Sequence, residues 1–302
     1  MKNKSTNNSR LKVNQLSSLT EQEEGIILEL FDKQVSEKQK RYTLQGKKRK
    51  RIQLKESKNS SLLGSKDKLD FLLLYLKEQM NQYTLGHFYK MSQPKVSQWL
   101  SYLLPVLEQA LEELEVMPCY QESYSYPVKE SGYLAADVTE RVIPRKVCYQ
   151  AQKADYSGKQ HQHTEKNLAL CDDQGYIHFL SAAYTGSTHD KTIWDSLCIK
   201  NNGICLLMDL GFLGAEKEDN TILLPFKRPP KQELGKVKKQ LNEAMGKLRV
   251  IIEHAFAGVK RLKIIRQKIR IRDYQKREMI VRIAFALHNL RVKHRKLTCS
   301  YS

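Results

Sequence analysis

Two short apolar runs, each opened by glycine and closed by aspartate, constrain this chain more than any other feature. In GYLAADVTE the run Tyr133–Ala136 ends in Asp137, and in GICLLMDLGF the run Ile204–Met208 ends in Asp209. Such runs offer water no polar face, so they read as central strands buried on both sides, in a sheet covered by helices. A carboxylate at the carboxyl end of such a strand stands where open α/β sheets place their sites. Burying it costs desolvation unless it is paired or metal-bound. The plainer alternative is that each Asp opens a turn or caps the next helix.

A third carboxylate stands on a predicted helix, in KLRVIIEHAFAGVKRLK. At about 100° per residue, Arg249, Glu253 and Lys260 share one narrow face. Leu248, Ile251, Ile252, Ala255, Val259 and Leu262 recur on the other side as a docking face. A solvated Arg249–Glu253 salt bridge is the simpler account of the pair. Taken with Asp137 and Asp209, however, Glu253 completes a hard-oxygen set suited to Mg²⁺ or Mn²⁺, and such a set favours phosphoryl chemistry.

The order Asp137, Asp209, Glu253, with Arg249 before the Glu and Lys260 after it, resembles the DDE catalytic core of bacterial insertion-sequence transposases. The likeness is strongest to the insertion-sequence-five family, which is related to Harbinger elements. DVTERVIPR after the first Asp, QKADYSGKQHQHTEKNLAL, YTGSTHDKTIWD and DLGFLGAE after the second Asp each follow that family's pattern. Together they extend the resemblance over residues 66 to 290. Related families often carry a Tyr three residues before the Arg. Gly246 stands there in this chain, so the transposon-end contact assigned to that Tyr is not carried over.

The resemblance implies an α/β fold: an RNase H-like mixed sheet flanked by helices, preceded by a small all-α helix-turn-helix domain. It further implies a transposase that binds the terminal inverted repeats of its element as double-stranded DNA, cuts a strand and joins the freed end to target DNA. Asp137, Asp209 and Glu253 would hold two Mg²⁺ or Mn²⁺ ions, and Arg249 and Lys260 would hold the phosphate. A homodimer in the synaptic complex and a cytoplasmic, bacterial nucleoid-associated location are expected with it. A domesticated Harbinger-like nuclease and a catalytically silent DNA-binding regulator remain as alternatives.

Charge agrees with a polyanionic partner. Lys and Arg outnumber Asp and Glu by 52 to 33, and the surplus is polarised. Residues 1–65 carry 15 basic and 7 acidic side chains, residues 227–302 carry 22 and 5, and residues 66–226 carry 15 and 21. Cations thus gather at the two ends while the stretch with both aspartates is mildly acidic, as suits arms that grip a polyanion around a cage awaiting metal. The six cysteines show neither a CxxC pair nor zinc spacing and read as reduced, mostly buried thiols. No run is long and apolar enough to span a membrane, and the start MKNKSTNNSR lacks a signal peptide's hydrophobic region.

Three domains are expected. Residues 1–65 form a polar, basic arm with a helical patch in EEGIILELFDKQV. Its cluster Lys47–Arg51 reads first as a backbone-binding arm, with a nuclear-import signal or a solvated loop as alternatives. Residues 66–118 hold three helical stretches, DKLDFLLLYLKEQM, TLGHFYKM and QPKVSQWLSYLLPVLEQALEEL. A tight turn at Ser92 and Gln93 joins the last two, with Pro94 early in the third and Pro105 predicted to kink it. In this helix-turn-helix layout Val96, Trp99, Leu100 and Leu103 face the bundle. Gln93, Lys95, Ser97 and Gln98 are left outward to reach phosphates or base edges. A three-helix bundle used for dimerisation has the same pattern.

Residues 119–302 form the catalytic domain. Strands are expected near 133–138, 147–152, 166–171, 176–183, 204–209 and 221–225, with a helix near 188–199. The C-terminal run is expected to pack Ile280, Ile283, Ala284 and Leu287 on the sheet and to turn its Arg and Lys outward. Lys159 and Lys166 are further candidates for DNA contact. His161, His163 and His178 read as phosphate neighbours or structural groups, and Asp190 as a capping or dipole-stabilising residue at a helix start.

Overall fold

The computed structural model describes residues 17–53, 60–126 and 132–299; the MKNKSTNNSR start lies outside them. The chain divides into two compact units. One runs to Leu114 and includes Leu262–Ile264, and the other comprises Glu115–Arg261 and Ile265 onward.

The first unit is all-α. Helix α1 (Glu21–Arg41) starts in a capping box, in which Thr20 accepts from the Glu23 amide and Glu23 accepts from the Thr20 amide. Its buried Ile27, Phe31 and Val35 repeat every four residues, so this helix has a single core face. Helices α2 (Gly64–Glu78), α3 (Gln82–Phe88) and α4 (Gln93–Glu113) follow. The Asn81 side chain accepts the Thr84 amide at 2.8 Å to cap α3, and Pro94 occupies the first turn of α4.

Val96, Trp99, Leu100 and Leu103 are buried, while Gln93 is exposed and Lys95, Ser97 and Gln98 are half-buried. Pro105 stands within α4, which continues unbroken as a helix to Glu113. Among the described residues before 65, helix α1 does not stand apart as an arm. Apolar side chains of α1 are buried in the same unit as α2 to α4, and the chain divides at Leu114.

The second unit is a seven-stranded mixed sheet flanked by helices. The strands are β1 (Ser123–Ser125), β2 (Leu134–Val142), β3 (Tyr156–Ser157), β4 (Gln162–Asp172), β5 (Ile177–Leu180), β6 (Tyr184–Thr185), β7 (Cys198–Lys200), β8 (Leu206–Leu207) and β9 (Ile222–Leu223). The sheet path is β3-β4-β2-β8-β9, with β5 and β6 also paired to β4; β1 and β7 form a separate parallel pair. Strand β2 is antiparallel to β4 and parallel to β8, and β8 is parallel to β9.

Side chains alternate along β2. Leu134 and Ala136 enter a core with Leu168, Leu170, Phe179, Leu206, Met208 and Phe212. Arg141 lies in the other register and meets Glu278 of the long C-terminal helix. The helices are α5 (Tyr149–Asp155), α6 (Asp190–Asp195), α7 (Lys236–Val259), the single turn α8 (Lys263–Arg266) and α9 (Tyr274–Cys299). No helix among the described residues is long and apolar enough to cross a membrane.

Three expectations change. Residues 149–155 form helix α5 rather than a strand: Val147 and Tyr149 are 97% and 75% exposed, so this stretch has no buried face to place in a sheet. On α7 the buried residues are Ile252, Ala255, Phe256 and Val259, whereas Leu248 is 44% exposed and Leu262 lies beyond the helix end. On α9 Ile280, Ile283, Ala284 and Leu287 are buried as expected, but Arg277 is turned inward. Its guanidinium bonds Glu165 at 2.6 Å, beside the Arg141–Glu278 pair at 2.7 Å, because a buried cation must find carboxylates.

Candidate active site

Strand register places the first two carboxylates together. Ala135 pairs with Leu207 across the parallel β2–β8 ladder, so Asp137 and Asp209, each two residues further on, stand at equivalent positions on the same side. Asp137 is not at the end of its strand. It marks where the short β8 stops while β2 continues to Val142 against β4. The Asp137 Oδ1 accepts the Val138 amide at 2.7 Å, and Asp209 caps a 3₁₀ turn, its Oδ1 accepting the Gly211 amide at 2.8 Å. The turn-capping alternative for Asp209 therefore holds for one of its oxygens.

Helix α7 supplies the opposite wall. The Tyr133 hydroxyl donates to the Leu248 carbonyl at 3.0 Å, tying the helix to the residue just before β2. Asp137, Asp209, Glu253, Arg249, Lys260 and Lys159 all line one cleft of about 640 Å³. Gln93, Lys95 and Gln98 belong to the other unit.

The cleft's electrostatics follow from this layout. Burial and the nearby Asp209 and Asp190 raise the Asp137 carboxyl to about 6, against the opposing pull of the Val138 amide and Arg249. Burial lowers the Lys260 ammonium, while Asp137 and Glu140 favour its charge. The Arg249 Nε is buried without a hydrogen-bond partner among the described residues, and Glu253 is exposed. Glu253 makes no ion pair with Arg249 or Lys260 among the described residues, so the surface salt bridge is not formed.

Neighbouring residues that sequence spacing did not single out as partners of the site also reach it. Lys166, only 9% exposed, donates to the Thr188 carbonyl at 2.8 Å and to Asp190 Oδ1 at 3.0 Å, with Glu140 at 3.5 Å. Lys166 is therefore an internal counterion. Asp190 is not the N-cap of α6, a place the His189 side chain takes; it stands in the first turn, where a carboxylate suits the helix dipole, and its carboxylate comes beside Gly211 together with that of Asp209. A β-carbon on Gly211 would stand 2.9 Å from Asp209 Oδ1 and 3.2 Å from Asp190 Oδ2, so only glycine admits this approach. Two of the three candidate histidines are structural, His178 bonding Asp172 and His163 the Gln152 carbonyl, each at 3.1 Å, whereas His161 is exposed.

The donor set suits a hard divalent cation. Asp137 and Asp209 offer carboxylate oxygens at matched positions, and the like charges that burial sets against each other would be relieved by a cation between them. Among the described residues no three carboxylate, imidazole or thiol groups converge closely enough to ligate one ion, so Glu253 shares the cleft without closing on the aspartates.

Comparison with known proteins agrees with this chemistry. Residues 136–289, about half of the chain, match the DDE superfamily endonuclease family. The chain is also 24% identical over 207 residues to the probable transposase for insertion sequence element IS702 of Microchaete diplosiphon, covering 68% of this chain and 73% of that protein. No solved structure matches. The matched segment begins one residue before Asp137 and contains Asp209 and Glu253, and the chain belongs to the DDE superfamily endonuclease family.

Proposed function

We propose that this protein is the transposase of an insertion sequence, binding the terminal inverted repeats of its element and catalysing divalent-metal-dependent strand cleavage and strand transfer. The observation that carries the reading is the matched register of Asp137 and Asp209, facing Glu253 across one cleft. These three side chains would hold two Mg²⁺ or Mn²⁺ ions. Bound there, the ions supply Lewis acidity toward a phosphodiester and a more acidic attacking water or 3′ hydroxyl.

The chain's own groups do the rest. Arg249 carries an unused buried Nε and is the side chain best suited to a phosphate fork. Lys260, at the C-terminal end of α7, and Lys159 on the facing loop add positive charge at the rim of the acidic floor. In the other unit, Gln93, Lys95 and Gln98 on α4 would recognise the inverted repeat, as expected of the second helix of a helix-turn-helix. A homodimer holding two element ends is part of the same proposal.

The test is nicking of a duplex that carries the element's own end. Cleavage should require Mg²⁺ or Mn²⁺. Asp137→Asn, Asp209→Asn and Glu253→Gln should each abolish it while leaving end binding nearly unchanged. Robust cleavage by any one of these variants in Mg²⁺ removes that residue from the site.

A further inference from the structure

The basic cluster Lys47–Arg51 is not an open arm. After α1 ends at Arg41 the chain folds back on itself: Tyr42 and Lys48 form an antiparallel bridge, the Thr43 amide donates to the Lys47 carbonyl at 2.8 Å, and the Gly46 amide donates to the Thr43 carbonyl at 2.9 Å. The Arg49 amide then bonds the Arg41 carbonyl at 2.7 Å, and its Nε bonds the Gln39 and Tyr42 carbonyls at 3.0 and 3.1 Å. Arg49 thus spends its guanidinium on fixing the hairpin to the end of α1. Lys47, Lys48, Lys50 and Arg51 are left exposed, and none has an ion-pair partner among the described residues.

The hairpin also has a fixed neighbour. The Lys38 Nζ donates to the Tyr102 carbonyl at 2.8 Å and lies 4.7 Å from the centre of the Tyr102 ring, joining the end of α1 to α4. The turn Leu44–Gly46 and the α4 residues Ser97, Gln98 and Ser101 line the two sides of one cleft of about 330 Å³. Four uncompensated cations on a hydrogen-bonded turn are therefore held beside the polar flank of α4.

We infer that the hairpin Arg41–Arg51 is a phosphate-gripping wing of the first unit, contacting the DNA backbone next to the groove that α4 enters. The inference rests on the reading of α4 as the recognition helix. The charges on a wing of this kind carry no base information; they set the register of α4 on the duplex and contribute a salt-dependent share of affinity. Its hydrogen-bonded backbone suits that task because little main-chain freedom is left to lose on binding.

Full-length protein should be titrated with the element's end duplex and with an unrelated duplex over a salt series, alongside hydroxyl-radical footprinting of the end. The variant Lys47→Gln with Lys48→Gln, Lys50→Gln and Arg51→Gln should bind both duplexes at least about tenfold more weakly. Its log–log salt slope should be shallower by about 3–4, from roughly 0.9 per phosphate contact. The ratio between the two duplexes should persist, and one protected backbone patch should vanish while the others remain. Gln93→Ala with Gln98→Ala should instead lower the ratio and keep that patch.

An unchanged slope and footprint in the charge variant overturn the wing and leave the cluster to some other acidic partner. If the parent protein shows no preference for its element's end, the transposase reading fails. If the patch also survives in the charge variant, the wing fails with it.

Discussion

Gly258 lies directly against the imidazole of His288: a β-carbon at Gly258 would overlap Nδ1 and Cε1 of that ring. The contact joins the C-terminal half of α7, which carries Glu253 and Lys260, to the middle of α9. The His288 Nε2 bonds the Gly175 carbonyl at 2.9 Å, a contact that favours the charged ring, but the burial of the side chain outweighs it. Burial, with Arg291, Arg295 and Arg261 adding positive potential, holds it down at about 4 against the usual 6.5.

That depressed value makes folding stability depend on pH. The unfolded chain takes up a proton near 6.5 and the folded one only near 4, so this contribution is complete above 6.5 and is lost as pH falls from 6.5 to 4. The loss amounts to up to about 3 kcal/mol, taking roughly 1.4 kcal/mol per pH unit. Urea unfolding of the parent and His288→Gln at pH 7 and pH 4.5 checks it. The variant should lose less stability on acidification, and equal losses would assign the acid sensitivity to carboxylates elsewhere.

Lys166 gives a prediction opposite to that of a DNA-contacting lysine. It is buried between Asp190 and Glu140, so Lys166→Met would leave two acidic groups without their cation. Breaking a buried pair in this way costs about 3–5 kcal/mol. Unfolding free energies from denaturant titration should fall by that amount, whereas a lysine serving only to touch DNA would leave them in place.

The strand bearing Asp137 and the short strand that leads into Asp209 were legible because a run apolar on both faces has few other places to go. The remainder of β2 was not. Glu140 and Arg141 look like a solvent-facing end, and Arg141 is buried only because Glu165 and Glu278, distant in sequence, surround it. The same long-range pairing draws Arg277 inward. Helix α5 was missed because its polar, alternating sequence suits either structure, and what it sets against the neighbouring strand β4 is the buried Asp155 and the Gln152 carbonyl that bonds His163, with no apolar stripe to reveal the period. At the site, Glu253, Arg249 and Lys260 could be placed on one helix face by periodicity. The approach of Asp190 to Asp209 depends on the fold of the 186–190 loop and on the bare Gly211, which no local pattern announces.

Asp137 carries a conflict between stability and function. Burial and the charge of Asp209 disfavour its ionised form, while its one hydrogen bond, from the Val138 amide, can be kept by an amide side chain. Asp137→Asn should therefore stabilise the metal-free protein near pH 7.5 by about 1–3 kcal/mol, since each unit of displacement is worth roughly 1.4 kcal/mol. Thermal melting in a chelator tests this. A melting point below that of the parent would mean that the aspartate is a structural group.

Arg249 and Lys260 separate a phosphate-holding role from a structural one. Neither is engaged with Glu253 among the described residues, and the Arg249 Nε is left without a partner, so both are available to an incoming phosphate. A lysine at 249 keeps the charge but loses the two-pronged geometry that matches phosphate oxygens. Arg249→Lys and Lys260→Ala should each slow single-turnover cleavage of the end duplex by at least about tenfold, or roughly 1.4 kcal/mol in the barrier. Their melting points should move little, because no ion pair is broken. Measured on the same two variants, intact cleavage together with a lowered melting point would reverse the assignment: the cations would then serve to hold α7 against the sheet, and the phosphate would have to be bound by Lys159 and the residues around it.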